Sequence, residues 1–159
     1  MKPNEMLRGA LLVLVAASVG AWAWKTWNAP DEQKFAAANV GAPAIPSDAV
    51  VVINFHGTLR CPTCLGIGSA TESVVTEDFA ALIEEGRVAW SSIDYDQPEN
   101  QHFKDDYELV SSGVVVVKRA HGADVSWKRL DEVWELYDDV SALRETVRLA
   151  VVESLAVQR

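Results

Sequence analysis

The run Val50-Val51-Val52-Ile53-Asn54-Phe55-His56-Gly57-Thr58-Leu59-Arg60-Cys61-Pro62-Thr63-Cys64 decides how the rest of the chain is read. Residues 49–55, built on four consecutive β-branched side chains, form the short continuous apolar stretch of a strand buried on both faces. Residues 56–60 make a loop. Cys61 then stands at the start of a predicted helix, and Pro62 fits its first position, where a missing N–H costs nothing. Gly66 and Gly68 weaken this helix, so its first turns must rely on packing.

A Cys-x-x-Cys pair placed where a buried strand hands over to a helix has a chemical consequence. The first sulfur meets unpaired helix N–H groups and the positive end of the helix dipole, and both favour thiolate over thiol. Thiolate is the attacking species in disulfide exchange. Cys61 is therefore the candidate nucleophile, and Cys64, one turn on, the candidate resolving cysteine. Arg60 adds a positive charge beside them. Pro62 and Thr63 modulate the helix start. His56, when protonated, would raise the thiolate fraction, although a loop histidine bonded to backbone fits equally well.

Two other readings of the pair compete. Half of a zinc site is one, but a second cysteine pair is missing, and His56, His102 and His121 are the only histidines that could complete it. Copper handling by a metallochaperone suits two sulfurs better than structural zinc does. An inert structural disulfide is the other. With 2 cysteines, both within this one motif, the chain is no disulfide scaffold.

Working outward, residues 76–85 form a second helical stretch, with Phe79, Leu82 and Ile83 on one face and Gly86 at its end. Residues 88–93 read as a strand and 94–97 as a turn. Pro98 opens a helix running to about Leu109. The four valines from Val114 form another buried strand, 121–124 a turn, and 125–130 the returning arm of a hairpin. The last helix is predicted over 131–156. Its apolar face is Val133, Leu136, Tyr137, Val140, Leu143, Val147, Ala150 and Val151. Asp131 and Glu132 lie in its first turn, with Arg144 and Arg148 later, as the dipole prefers. Strands joined through helices must be parallel, so the domain is α/β, layered, with helices on both faces of the sheet.

Other polar residues carry less. Ser111 and Ser112 either line a groove beside the cysteines or make an ordinary turn. Asp94 with Asp96, and Asp105 with Asp106 and Glu108, read as solvated faces and helix-start charges rather than as paired acid–base carboxylates. Trp90, Trp127 and Trp134 read as core or edge packing. There is no phosphate loop and no Ser-His-Asp pattern.

The 159 residues carry 14 basic and 23 acidic side chains, a formal net charge of −9. That balance excludes nucleic acid as a partner, because phosphate binding needs a positive field. From residue 7 to 27 the chain is almost wholly apolar, with Lys2 and Arg8 at its start and Trp22, Trp24 and Trp27 at the far end. Such a stretch just crosses a hydrocarbon core of roughly 30 Å. The expectation is an N-terminal membrane helix over residues 1–27, with the positive flank cytoplasmic and the rest of the chain extracytoplasmic. A signal peptide cut near Ala21-Trp22-Ala23, or a buried core helix, are the competing readings. Residues 28–48, with Pro30, Gly41, Pro43 and Pro46, read as a linker whose reach of roughly 25 Å would keep a domain at 49–159 near the membrane.

The run before the cysteines and the order of elements after them resemble the thioredoxin superfamily. That resemblance implies a central mixed sheet of about four strands flanked by helices. A closer resemblance is to the thioredoxin-like small subunit of nitrophenyl-compound reductases in arsenic-resistance operons. It is carried by Phe55-His56-Gly57, Arg60-Cys61-Pro62-Thr63-Cys64, Glu99-Asn100-Gln101-His102-Phe103 and the valine strand from Val114. It implies an electron-transfer subunit with a protein redox partner at the membrane and no bound cofactor or metal of its own. Two positions depart from the thioredoxin pattern. Val110-Ser111-Ser112-Gly113 has no proline before the strand facing the cysteines, and Asn54 stands where thioredoxins carry a buried acid. Both departures point to a dedicated partner rather than to general disulfide exchange, with Ser111, Ser112 and Gly113 as the partner groove.

Overall fold

The computed structural model describes residues 46–156. The expected anchor at 1–27 and all but the end of the expected linker lie outside them. Among the described residues no helix is long and apolar enough to cross a membrane.

Strand β1 (Val50–His56) leads into helix α1 (Pro62–Ser73), which continues as a π-helical turn, Val74–Asp78, and then α2 (Ala80–Glu84). Strand β2 (Val88–Asp94) follows, then a 3-10 turn, Pro98–Asn100, and the one-turn helix α3 (Phe103–Asp106). Strands β3 (Gly113–Ala120) and β4 (Ala123–Arg129), a 3-10 turn at Asp131–Trp134 and helix α4 (Val140–Ala156) complete the described residues.

The four strands form one sheet in the order β2-β1-β3-β4. The crossover through α1 and α2 makes β2 parallel to β1, with Val50 opposite Val88. β3 runs antiparallel to β1, Phe55 facing Gly113, and β4 antiparallel to β3. The hairpin turns on His121 and Gly122 alone, both at positive φ (55° and 78°), the geometry of a tight two-residue hairpin. Asp124, expected in the turn, therefore belongs to β4.

The valine run does what a doubly buried strand requires. Val50 and Val52 enter one core with Ile67, Val74, Val75, Val114, Val116, Leu143 and Val147. Val51, Ile53 and Phe55 enter the other with Ile93, Phe103, Tyr107, Val115 and Val117. The first core lies under α1 and α4; the second is closed by α3, where Phe55, Phe103 and Tyr107 stack at centroid distances of 5.4 to 5.9 Å. In α1 the buried positions Ile67 and Thr71 follow helical spacing, and in the π turn that continues it two adjacent valines, Val74 and Val75, face inward. Gly86, at φ 69°, ends α2 as expected.

Three helix expectations need correction. The stretch from Pro98 to Leu109 is a 3-10 turn and a single α-turn, because Asn100 turns inward to donate to the Asp94 carbonyl at 2.8 Å. The second helical stretch is broken at Phe79, which leaves helical geometry (φ −117°) to bury its ring. The last helix starts at Val140 rather than at Asp131. Val133 is buried from the preceding 3-10 turn, whereas Tyr137 and Val140, assigned to the apolar face, are exposed. Arg144 and Arg148 reach across to Glu77 and Asp78 beside α1, so their position reflects ion pairing as well as the dipole.

Candidate functional site

Cys61 and Cys64 are joined as a disulfide with Cα atoms 5.1 Å apart, where β1 hands over to α1. Cys61 is the N-cap of α1. Its backbone is extended (φ −75°, ψ 160°) and its Sγ accepts the Cys64 N–H at 3.1 Å. Pro62 occupies the first helical position, where its ring suits the fixed φ. Cys61 is exposed and Cys64 half-buried, so the first sulfur is the accessible one.

Behind the pair, α1 closes on the sheet at Gly68. Asn54, buried in β1 at 3% exposure, sits beneath it, and its amide nitrogen lies 3.5 Å from Ser92 Oγ on β2. Arg60 reaches the same place, with Nη2 donating to Ser92 Oγ at 3.5 Å. Asn54, Arg60 and Ser92, with Ser69, Glu72 and Trp90, line a cleft of about 200 Å³. A cation and a carboxylate, Arg60 and Glu72, thus share this cleft, and the expected place of a buried acid holds a neutral amide.

The loop between β1 and Cys61 is fixed by carboxylates. Thr58 N–H donates to Asp96 Oδ2 at 3.1 Å and its hydroxyl to Asp94 Oδ2 at 2.8 Å. Asp94 also accepts from Asp96 N–H and from Gln97 Nε2, both at 3.0 Å. Partial burial pushes the Asp94 carboxyl up, but the bonds from Gln97, Thr58 and Asp96, with the nearby His56, together hold it below its ordinary value. Lys104 Nζ donates to Asp96 Oδ1 at 3.1 Å and lies 4.6 Å from the centre of the Tyr95 ring. Both carboxylates stay at the surface, Asp96 with 46% of its side chain exposed, as expected of solvated charges; their bonds to Thr58, 36 and 38 residues upstream, have no local signal in the sequence.

The remaining candidates separate. His56 Nδ1 lies 2.9 Å from the Gly57 carbonyl, which can only accept, so Nδ1 carries the hydrogen and the ring is tied to backbone rather than to a sulfur. Gly113 begins β3 opposite Phe55, which brings the 111–113 stretch to the end of the sheet that carries the cysteines. Ser112 is engaged there by Tyr95 (3.3 Å, hydroxyl to hydroxyl) and by Trp134, whose Nε1 donates to its carbonyl at 2.8 Å. His102 packs on Phe103 and faces Asp106 at 3.8 Å, while His121 lies at the other end of β1, beside Asp48. The three histidines thus do not gather around the pair. Among the described residues no group of three or more His, Cys, Asp or Glu is placed to hold a metal ion.

A four-stranded mixed sheet in this order, with a Cys-x-x-Cys disulfide at the join of β1 and α1, is the thioredoxin-like arrangement expected from the sequence. No family model matches the chain, and no curated protein does. The resemblance to the nitrophenyl-reductase subunit therefore rests on its short sequence runs. Similar solved structures include chloroplastic thioredoxin z (20% identity, 71% of this chain and 91% of that one, TM-score 0.39). Another is the thioredoxin of Fasciola hepatica (20% identity, 76% and 91%, TM-score 0.42). A third is human ERp44 in a zinc-bound form (17% identity, TM-score 0.44), matched over 65% of this chain but only 27% of that one.

Proposed function

We propose that the chain is a thiol–disulfide oxidoreductase in which Cys61 attacks and Cys64 resolves. The observation that carries this reading is the cap: an exposed Cys61 Sγ that accepts the Cys64 N–H at the start of a helix. A thiolate in that place gains the hydrogen bond and the positive end of the dipole. The reduced pair works in two displacements. Cys61 thiolate attacks one sulfur of the partner's disulfide, and the partner's other sulfur leaves as thiolate. Cys64 then gives its proton to water and attacks Cys61 Sγ, restoring the disulfide and freeing the partner's second thiolate. Two electrons pass to the partner, and the reverse sequence oxidises a dithiol partner. Arg60, Pro62 and Thr63 support the thiolate and the helix start, His56, tied to the Gly57 carbonyl, serves the loop instead, and Ser111, Ser112 and Gly113 border the docking site.

The partner in this proposal is a membrane redox protein, and the pair works on the extracytoplasmic side, as the apolar N-terminal sequence and its basic flank suggest. Reduction of a nitrophenyl compound would require a cofactor-bearing partner, since nothing in the described site reduces a nitro group. The test is Cys64→Ala. A mixed disulfide trapped on Cys61 in the membrane fraction supports the proposal. Rapid turnover of insulin by the wild-type chain would favour general disulfide exchange instead. Thiols that resist oxidation until a chelator is added would favour the metal-binding reading.

A further inference from the structure

We propose that Asp96 is a positioning residue for Cys61, a clasp whose two carboxylate oxygens tie the loop before the cysteine to Lys104 of α3. This rests on the reading of Cys61 and Cys64 as an exchanging pair. Between the end of β1 and Cys61, the side chains of Thr58, Leu59 and Arg60 are exposed, Leu59 at 94%. Apolar packing therefore cannot set the position of this segment, and hydrogen bonds must. Asp96 Oδ2 accepts the Thr58 N–H and Oδ1 accepts Lys104 Nζ, each at 3.1 Å. Gly57 is buried against the same carboxylate, where a β-carbon would stand 2.7 Å from Oδ2. The clasp closes because residue 57 has no side chain.

The two redox states need this clasp unequally. In the oxidised chain the disulfide itself holds Cys61 over the helix start. In the dithiol nothing covalent does, and Cys61 keeps its extended capping geometry only if the loop behind it is held. Opening the clasp frees Cys61 Sγ from the Cys64 N–H and so destabilises the thiolate form. The reduced state then loses ground to the disulfide. Removing a negative charge near the sulfurs acts in the opposite sense, since it favours thiolate. The sign of the change distinguishes position from charge.

The experiment uses the full chain and reads two quantities for each variant: the dithiol–disulfide equilibrium in glutathione buffers and the pH profile of Cys61 alkylation. Asp96→Ala opens the clasp and leaves Thr58 held only by its hydroxyl on Asp94. It is expected to shift the equilibrium toward disulfide by up to about tenfold, or about 30 mV more reducing, and to move alkylation to higher pH. Gly57→Ala keeps the charge but displaces the carboxylate, and should shift both readouts in the same direction. Asp96→Asn keeps one oxygen for Thr58 but offers Lys104 no acceptor, and should fall between wild type and Asp96→Ala. The proposal is overturned if Asp96→Ala shifts toward dithiol, if Asn and Ala behave alike, or if the variants lose thermal stability without moving either readout. Should Gly57→Ala fail to fold, the sign for Asp96→Ala decides alone. A wild-type chain without a two-electron transition would sink the exchange reading itself, whereas a normal wild-type transition with unmoved variants sinks only the clasp.

Discussion

Gly68 passes so close to Asn54 that a β-carbon at residue 68 would stand 2.9 Å from the Asn54 amide nitrogen. This contact lets α1 settle on β1 directly behind the cysteines. Gly66, two residues past Cys64 and exposed, has nothing within 4 Å of where its β-carbon would be.

The two glycines should therefore respond oppositely to alanine. Gly66→Ala removes a helix-weakening residue at no steric cost and should stabilise the domain by about 0.5–1 kcal/mol. Gly68→Ala must displace a buried amide and should destabilise it by about 1–3 kcal/mol. Urea unfolding of the oxidised chains measures both, and equal signs would refute the packing account.

Asn54→Asp would place a carboxylate at a position 3% exposed. Burial and the Glu72 carboxylate in the same cleft push such a carboxyl up, and Arg60 offsets part of that. An acid whose folded value is raised destabilises progressively as pH rises above its unfolded value of about 3.9. The variant should approach wild-type stability near pH 4 and fall about 1–3 kcal/mol short near pH 7. Parallel unfolding curves across that range would show that Asn54 is better solvated than its burial indicates.

Asp94 gives the opposite pH dependence. Its hydrogen bonds hold its carboxyl below the ordinary value, so its contribution is complete above about pH 3.9 and disappears as pH falls through the lower folded value. The stability gap between wild type and Asp94→Ala should be constant near neutrality and close only in acid. Asp48 and Glu77, also lowered, titrate in both proteins and cancel in the difference. A gap that widened on acidification would contradict the assignment.

The hairpin end of the sheet holds the one fully buried guanidinium among the described residues. Arg119, 1% exposed, donates through Nε to Asp124 Oδ1 at 3.0 Å and through Nη2 to the Gly122 carbonyl at 2.7 Å. Tyr107 donates to the other Asp124 oxygen at 2.6 Å; burial, then that bond, pushes the Tyr107 hydroxyl far up. Asp124→Ala should destabilise by about 3 kcal/mol, because a buried cation loses its carboxylate. Tyr107→Phe should cost about 1 kcal/mol. Equal losses in chemical unfolding would mean that the carboxylate serves only the tyrosine.

What the sequence reveals follows how local each signal is. The strands are legible because doubly buried β-branched runs such as Val50–Ile53 have few other uses. The cysteine pair is legible because strand, proline and helix lie within a few residues of it. The start of the last helix is not, because Val133 and Leu136 keep a helical spacing that a 3-10 turn satisfies equally well. Nor are the carboxylate clasp and the Arg119–Asp124–Tyr107 network. Each joins residues whose meeting depends on sheet register, and Asp96 beside Thr58 looks in sequence like any charged turn residue. Asn54 lies between, since its position was recognisable but the cation across from it was not.

The disulfide spans a sequence separation of only 3. A ring that small removes less freedom from the unfolded chain than a long-range cross-link would, so it is a minor part of what holds the domain together. The sheet, the two cores and the buried guanidinium do that without it. Were the pair to exchange as proposed, opening and closing it would accordingly draw on little of what keeps the domain folded.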